Sequence, residues 1–228
     1  LSRRWWVMAA VTAAMTGCAT APSLDAASVI ARAEAAMGGA PLKTLRIAGT
    51  GTGSTFGQAY EPGQPWPRLN VSQFVRVMDY EAGAMRQETA VSRAEPHGGG
   101  AVPLMGTGEQ RAVGVVQGDF AWNMVGPAQV AAPVAHAGRV HDLWTSPHGV
   151  LKAAARNQAV AGTRTVDGKI YTTLSFRQAG AFEATAFVNA DGLVERVESR
   201  QPHPVMGDTE SVTTYSGYKS HGGVQFPS

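Results

Sequence analysis

Cysteine is almost absent from this 228-residue chain, with Cys18 the only one. A single thiol excludes an intramolecular disulfide and any site built from several thiolates, so the fold must be held by packing. Charge is sparse too, at 16% Asp, Glu, Lys and Arg. With no polybasic run, the electrostatic footprint of a nucleic-acid binder is missing. The 6 histidines (His97, His136, His141, His148, His203 and His221) include no His-x-His or His-x-x-x-His pair. His136 and His141 are five apart, on different faces of a helix, so zinc-ligand spacing is lacking. Gly106-Thr107-Gly108 does not continue into the Gly-Lys-Ser/Thr end of a phosphate loop, and no Gly-x-Ser-x-Gly elbow occurs. Glu195 and Glu198 lie close together on an expected strand, where exposed polar residues are ordinary, and nothing else marks them as an acid–base pair. No apolar run approaches the roughly 20 residues of a membrane-spanning helix.

What the chain does have begins at its N-terminal end. Arg3 and Arg4 precede an apolar run from Trp5 to about Met15, followed by Thr16-Gly17-Cys18. A basic start, a short apolar segment and small residues form an export signal. Met15-Thr16-Gly17-Cys18 resembles the lipobox of bacterial lipoproteins, with Met15 where Leu is usual. That resemblance implies residues 1–17 as a signal peptide, Cys18 as the lipid attachment point and 18–23 as a tether. Ser2-Arg3-Arg4-Trp5-Trp6 is similar to a twin-arginine export signal, with Trp6 where Phe is usual. The expected location is the periplasm-facing cell envelope. Ala19 stands where Asp often marks inner-membrane retention, which favours the outer membrane. Loss of the signal leaves about 210 residues, enough for one domain with a sizeable core. It also removes two arginines, taking the balance from 19 basic against 17 acidic residues to 17 against 17. Membrane attachment therefore rests on lipid rather than on charge.

The remaining pattern is turn-rich, with 27 glycines, which favours β structure. A helix is expected from about Leu24 to Met37, capped by Ser23 or Asp25, with Val29, Ile30, Ala33 and Met37 on one face and Gly38-Gly39 as its stop. Strands are expected at 45–53, 70–80, 84–93, 111–117 and 119–125, with loops at 56–68 and 94–110, the second read as mobile. From about 135 to 156 the period becomes helical. Pro147 breaks it, with Thr145 or Ser146 capping the second piece. Hairpins follow: 163–166 with 169–177 around Asp167-Gly168, then 181–188 with 193–200, then 209–218. Val224-x-Phe226 opens a strand just before the sequence stops at Ser228, which reads as a C-terminal truncation.

Many short stretches together are similar to one family. They include Trp66-Pro67-Arg68, Gly98-Gly99-Gly100, Gln110-Arg111, Asp119-Phe120-Ala121-Trp122-Asn123 and Leu143-Trp144-x-x-Pro147-His148-Gly149-x-Leu151-Lys152-Ala153-Ala154. They continue with Leu193-Val194-Glu195-Arg196-Val197-Glu198, Pro204-Val205-x-Gly207-Asp208 and Tyr215-x-x-Tyr218 before Gly222-Gly223-Val224-x-Phe226-Pro227. They resemble the region N-terminal to the catalytic domain in exported bacterial metallo-β-lactamase-fold hydrolases. That catalytic domain carries a His-x-His-x-Asp-His metal cluster, which this chain lacks. The resemblance therefore implies a non-catalytic lead-in domain, with zinc expected only in the missing hydrolase domain.

The strand-and-helix pattern is also similar to the half-barrel of periplasmic lipoprotein carriers. The expected fold is α+β: one curved antiparallel sheet of roughly eight to eleven strands with an N-terminal helix and a helical insertion near 135–156. Two functions follow. One is an accessory domain of a lipid-anchored envelope metallohydrolase. The other is a stand-alone lipoprotein binding an apolar ligand, with Trp122, Trp144 and His148 around the groove. The same three residues also suit a core plug between sheet and helix, with His148 buttressing the turn.

Overall fold

A computed structural model describes residues 24–228 except 56–58, 60, 95–107, 179–181 and 204–206. The signal segment, Cys18, the tether and most of the expected 94–110 loop lie outside the described residues.

Helix α1 (Ala26–Ala36) begins at Asp25, whose carboxylate accepts from the backbone N–H groups of Ala27 and Ser28. Its apolar face buries Val29, Ile30 and Ala33, with Met37 just beyond, and the chain leaves the helix at Gly38, φ +64°. Six antiparallel strands follow as a meander: β1 (Thr44–Ser54), β2 (Arg68–Asp79), β3 (Ala84–Arg93), β4 (Gln110–Gln117), β5 (Phe120–Val125) and β6 (Ala128–Ala131). The short edge strand β6, turned back at Gly126 with φ +58°, carries too weak an alternation to be read from sequence.

A 3₁₀ turn leads into α2 (His136–Trp144) and α3 (Pro147–Arg156). Pro147 takes the first helical position of α3, where a missing N–H costs nothing, and Ser146 caps it through Gly149 N–H. A second antiparallel meander comprises β7 (Val160–Val166), β8 (Lys169–Gln178), β9 (Phe182–Val188), β10 (Val194–His203) and β11 (Gly207–Thr214). The β7–β8 turn has positive φ at both Asp167 and Gly168, the backbone that an Asp-Gly pair tolerates best. Strands β12 (Lys219–His221) and β13 (Val224–Phe226) form a terminal hairpin.

The fold is α+β and antiparallel, with no closed barrel among the described residues. Helix α2 packs on β3, β4 and β5 from the first meander and on β10 from the second. Helix α3 packs on α1, β8 and β10. One apolar core joins the helices to both meanders through Met37, Met78, Val116, Leu143, Leu151, Leu174 and Val188. Burial of this shared core is the dominant stabilising term.

Candidate functional site

The turn between α2 and α3 gathers most of the buried polar groups. Ser146 Oγ donates to the Leu143 carbonyl at 2.8 Å and lies 3.3 Å from the Tyr80 hydroxyl. Tyr80 is buried, and loss of hydration pushes its phenol up to about 12. Its ring sits 6.1 Å from that of Trp144, and the Arg156 guanidinium covers the Trp144 ring at 4.7 Å. Arg156 also donates to the Tyr80 carbonyl. Trp144 is therefore enclosed by Tyr80 and Arg156.

His148, in the first turn of α3, is only 1% exposed. Its Nε2 donates to the Gln225 carbonyl at 2.9 Å, and its ring stacks on Phe226, with 6.3 Å between centroids and 13° between planes. Burial pushes its pKa down, the Gln225 carbonyl opposes this, and the Lys152 cation adds to the lowering. Gln225 N–H in turn donates to the Met37 carbonyl at 2.9 Å. The β12–β13 hairpin is thus clasped to α1 and α3 at once.

Trp122 stands apart. On β5, Ala121 is the buried residue, and successive side chains point to opposite faces, so Trp122 projects away from the face that carries the core. Trp122, Trp144 and His148 do not converge on a groove. Trp144 and His148 are buried in the core, but Trp122, which the plug reading also put there, is not, and none of the three lines the grooves described next.

One open groove, about 540 Å³, lies beside α2 along β3, β4 and β5 of the first meander. Arg139 of α2 forms part of its wall. Its Nη1 donates to the carbonyls of Val115 (3.0 Å) and Trp122 (2.8 Å), and its Nη2 to the side-chain oxygen of Asn123. The guanidinium lies over Gly114, where a Cβ would come within 2.6 Å of Nη2 and 2.7 Å of Cζ. Desolvation pushes the Arg139 pKa down. Asp142, one turn along, is held by Arg76 at 2.9 Å, and Arg76 also bonds Gln87. Sequence reading missed this cluster. Its signal was Gly114, a glycine inside a valine-rich strand, which marks the close approach of another group.

A second groove of about 600 Å³ runs past Glu195. Glu195 accepts from Lys169 Nζ (2.6 Å), Asn189 Nδ2 (2.7 Å) and Tyr171 OH (3.0 Å). Burial raises its pKa, but the hydrogen bonds from Lys169, Asn189 and Tyr171 outweigh that and hold the carboxyl below its ordinary value. Glu198 is likewise taken up, by Arg164 at 2.8 Å and Arg196 at 2.9 Å.

No protein-family model, curated protein or solved structure matches this chain. Its function must be argued from its own residues. Among the described residues no three His, Cys, Asp or Glu side chains come together as a metal site. Nor is any helix among them long and apolar enough to cross a membrane.

Proposed function

We propose that this chain is a non-catalytic, lipid-anchored envelope domain that mounts a metallo-β-lactamase-fold hydrolase. The observation that supports this most directly is the clasped hairpin near Ser228. The Gln225 backbone bonds both Met37 and His148, so a domain joined beyond Ser228 would leave from a point fixed to the core. A free tail would instead let it wander as a flexible chain. Lipid on Cys18 would hold the opposite end at the membrane, with residues 19–23 as the tether. Zinc and the hydrolytic groups would belong to the joined domain.

Reading the gene in frame past codon 228 tests the proposal. The expected result is an open frame leading to a His-x-His-x-Asp-His sequence. A stop codon directly after Ser228 would overturn it. The second reading, a stand-alone lipoprotein that binds an apolar ligand, draws on the open groove beside α2 and would then take its place.

A further inference from the structure

Arginine is costly to desolvate, and a partly buried guanidinium usually faces a carboxylate. Arg139 does not. Its bonds go to two backbone carbonyls and one side-chain amide, all neutral. Desolvation alone shifts its pKa, and no carboxylate restores it. The nearest candidate on its own helix, Asp142, is bonded to Arg76.

Three of the five guanidinium N–H groups are used. Nε and one Nη2 hydrogen have no partner among the described residues. Those two nitrogens form the side-on edge of the fork, which matches the two oxygens of a carboxylate. The head itself cannot shift easily. It is pinned by three acceptors and laid flat in space that Gly114 leaves by having no Cβ. Met85, Ala112 and Val125, on the same sheet face as Gly114 and Asn123, supply apolar surface in the same groove, and Val125 is 62% exposed. About 540 Å³ is within the range of small-molecule sites.

We infer that this groove binds an anionic amphiphile, its carboxylate on the Nε–Nη2 edge of Arg139 and its apolar body along Met85, Ala112 and Val125. The inference rests on the second, ligand-binding reading and goes further by naming the head group and its anchor. Only the groove of that reading is used, so a hydrolase domain joined beyond Ser228 would leave the inference unchanged.

The test is calorimetric titration of the purified chain with decanoate, decyl phosphate and decanol, each below its micelle concentration. Saturable 1:1 binding of decanoate is expected, about tenfold or more tighter than decanol, as a charge-assisted bidentate pair requires. Arg139→Gln should reduce decanoate to the level of decanol. Arg177→Gln, on a distant exposed ion pair, should change it less than about twofold. Should Arg139→Gln fail to fold, titration of the unaltered protein at rising ionic strength serves instead. Screening should weaken decanoate several-fold between low and high salt while leaving decanol no weaker. Equal affinity for decanol and decanoate overturns the anion assignment and leaves the apolar-ligand reading standing. Tighter binding of decyl phosphate reassigns the head group. No binding of any of the three overturns both readings of the groove.

Discussion

His148 donates its Nε2 proton to the carbonyl of Gln225 across 2.9 Å, while its Nδ1 is buried without a partner among the described residues. The ring is thus held neutral in a site that welcomes one proton and has no acceptor for a second. Nearby, Lys152 adds positive charge from α3, itself bound to Glu34 of α1 at 3.3 Å.

A pH dependence follows from that geometry. The folded pKa of His148 lies below its ordinary 6.5. As pH falls through 6.5 the unfolded chain takes up the proton before the folded one does, which favours unfolding. The stability contributed by neutral His148 is therefore full above that pH and is lost progressively below it. Urea unfolding at a series of pH values should show the midpoint falling from neutral toward acid pH. In His148→Gln, which keeps a donor but does not titrate, the fall should be shallower. Parallel curves for the two proteins would refute this account.

Gly38 is the other half of the clasp. Its φ is +64°, and a Cβ there would collide with the Gly223 carbonyl of the hairpin. Gly222 has a similar φ of +61° but open space around it. Ala at 222 carries only the backbone strain, about 1 kcal/mol. Ala at 38 adds a backbone clash and should cost about 2–4 kcal/mol. Denaturant midpoints of the two variants, measured side by side, separate the close approach from the turn conformation. Limited proteolysis should also cut the hairpin faster in Gly38→Ala.

The two tryptophans should differ in the same direction as their burial. Trp144 is 7% exposed between Tyr80 and Arg156, so Trp144→Ala should destabilise by about 3–5 kcal/mol. Trp122 lies half-buried on the face of β5 opposite Ala121, and Trp122→Ala should cost about 1–2 kcal/mol. Thermal or urea unfolding of both variants checks the order. Equal losses would mean that Trp122 is as deeply packed as Trp144.

How much of this was legible in the sequence depended on the range of the forces involved. The α1 face, the Asp167-Gly168 turn and the Ser146-Pro147 start of α3 are set by neighbours within a few residues, and each stands where the local pattern puts it. The α+β antiparallel class follows from the same strand periodicity. The split of the strands into meanders of six and five depends on which edges pair, which no local pattern encodes. His148 was picked out as notable, but its partner lies 77 positions away at Gln225, and nothing in the spacing links them. Arg139 was missed because its partners are mostly backbone carbonyls, which every residue has. Only Gly114, a gap in a run of valines, betrayed that something lay on the strand.

That gap gives a sign reversal that can be measured. In the native protein, a methyl at 114 would meet the Arg139 guanidinium at 2.6–2.7 Å, closer than real contacts allow. Gly114→Ala should therefore cost about 1–3 kcal/mol by pushing the guanidinium off its three acceptors. With Arg139→Ala already present, that obstruction is gone. Alanine is then the better strand residue, because glycine loses more conformational freedom on folding by roughly 0.5–1 kcal/mol. Gly114→Ala in that background should be neutral or stabilising. The double-mutant cycle would then show a coupling of about 1–4 kcal/mol between the two positions. Additive losses would mean that the arginine does not depend on the bare backbone of Gly114. The pinned head group that the groove needs would lose its support with it.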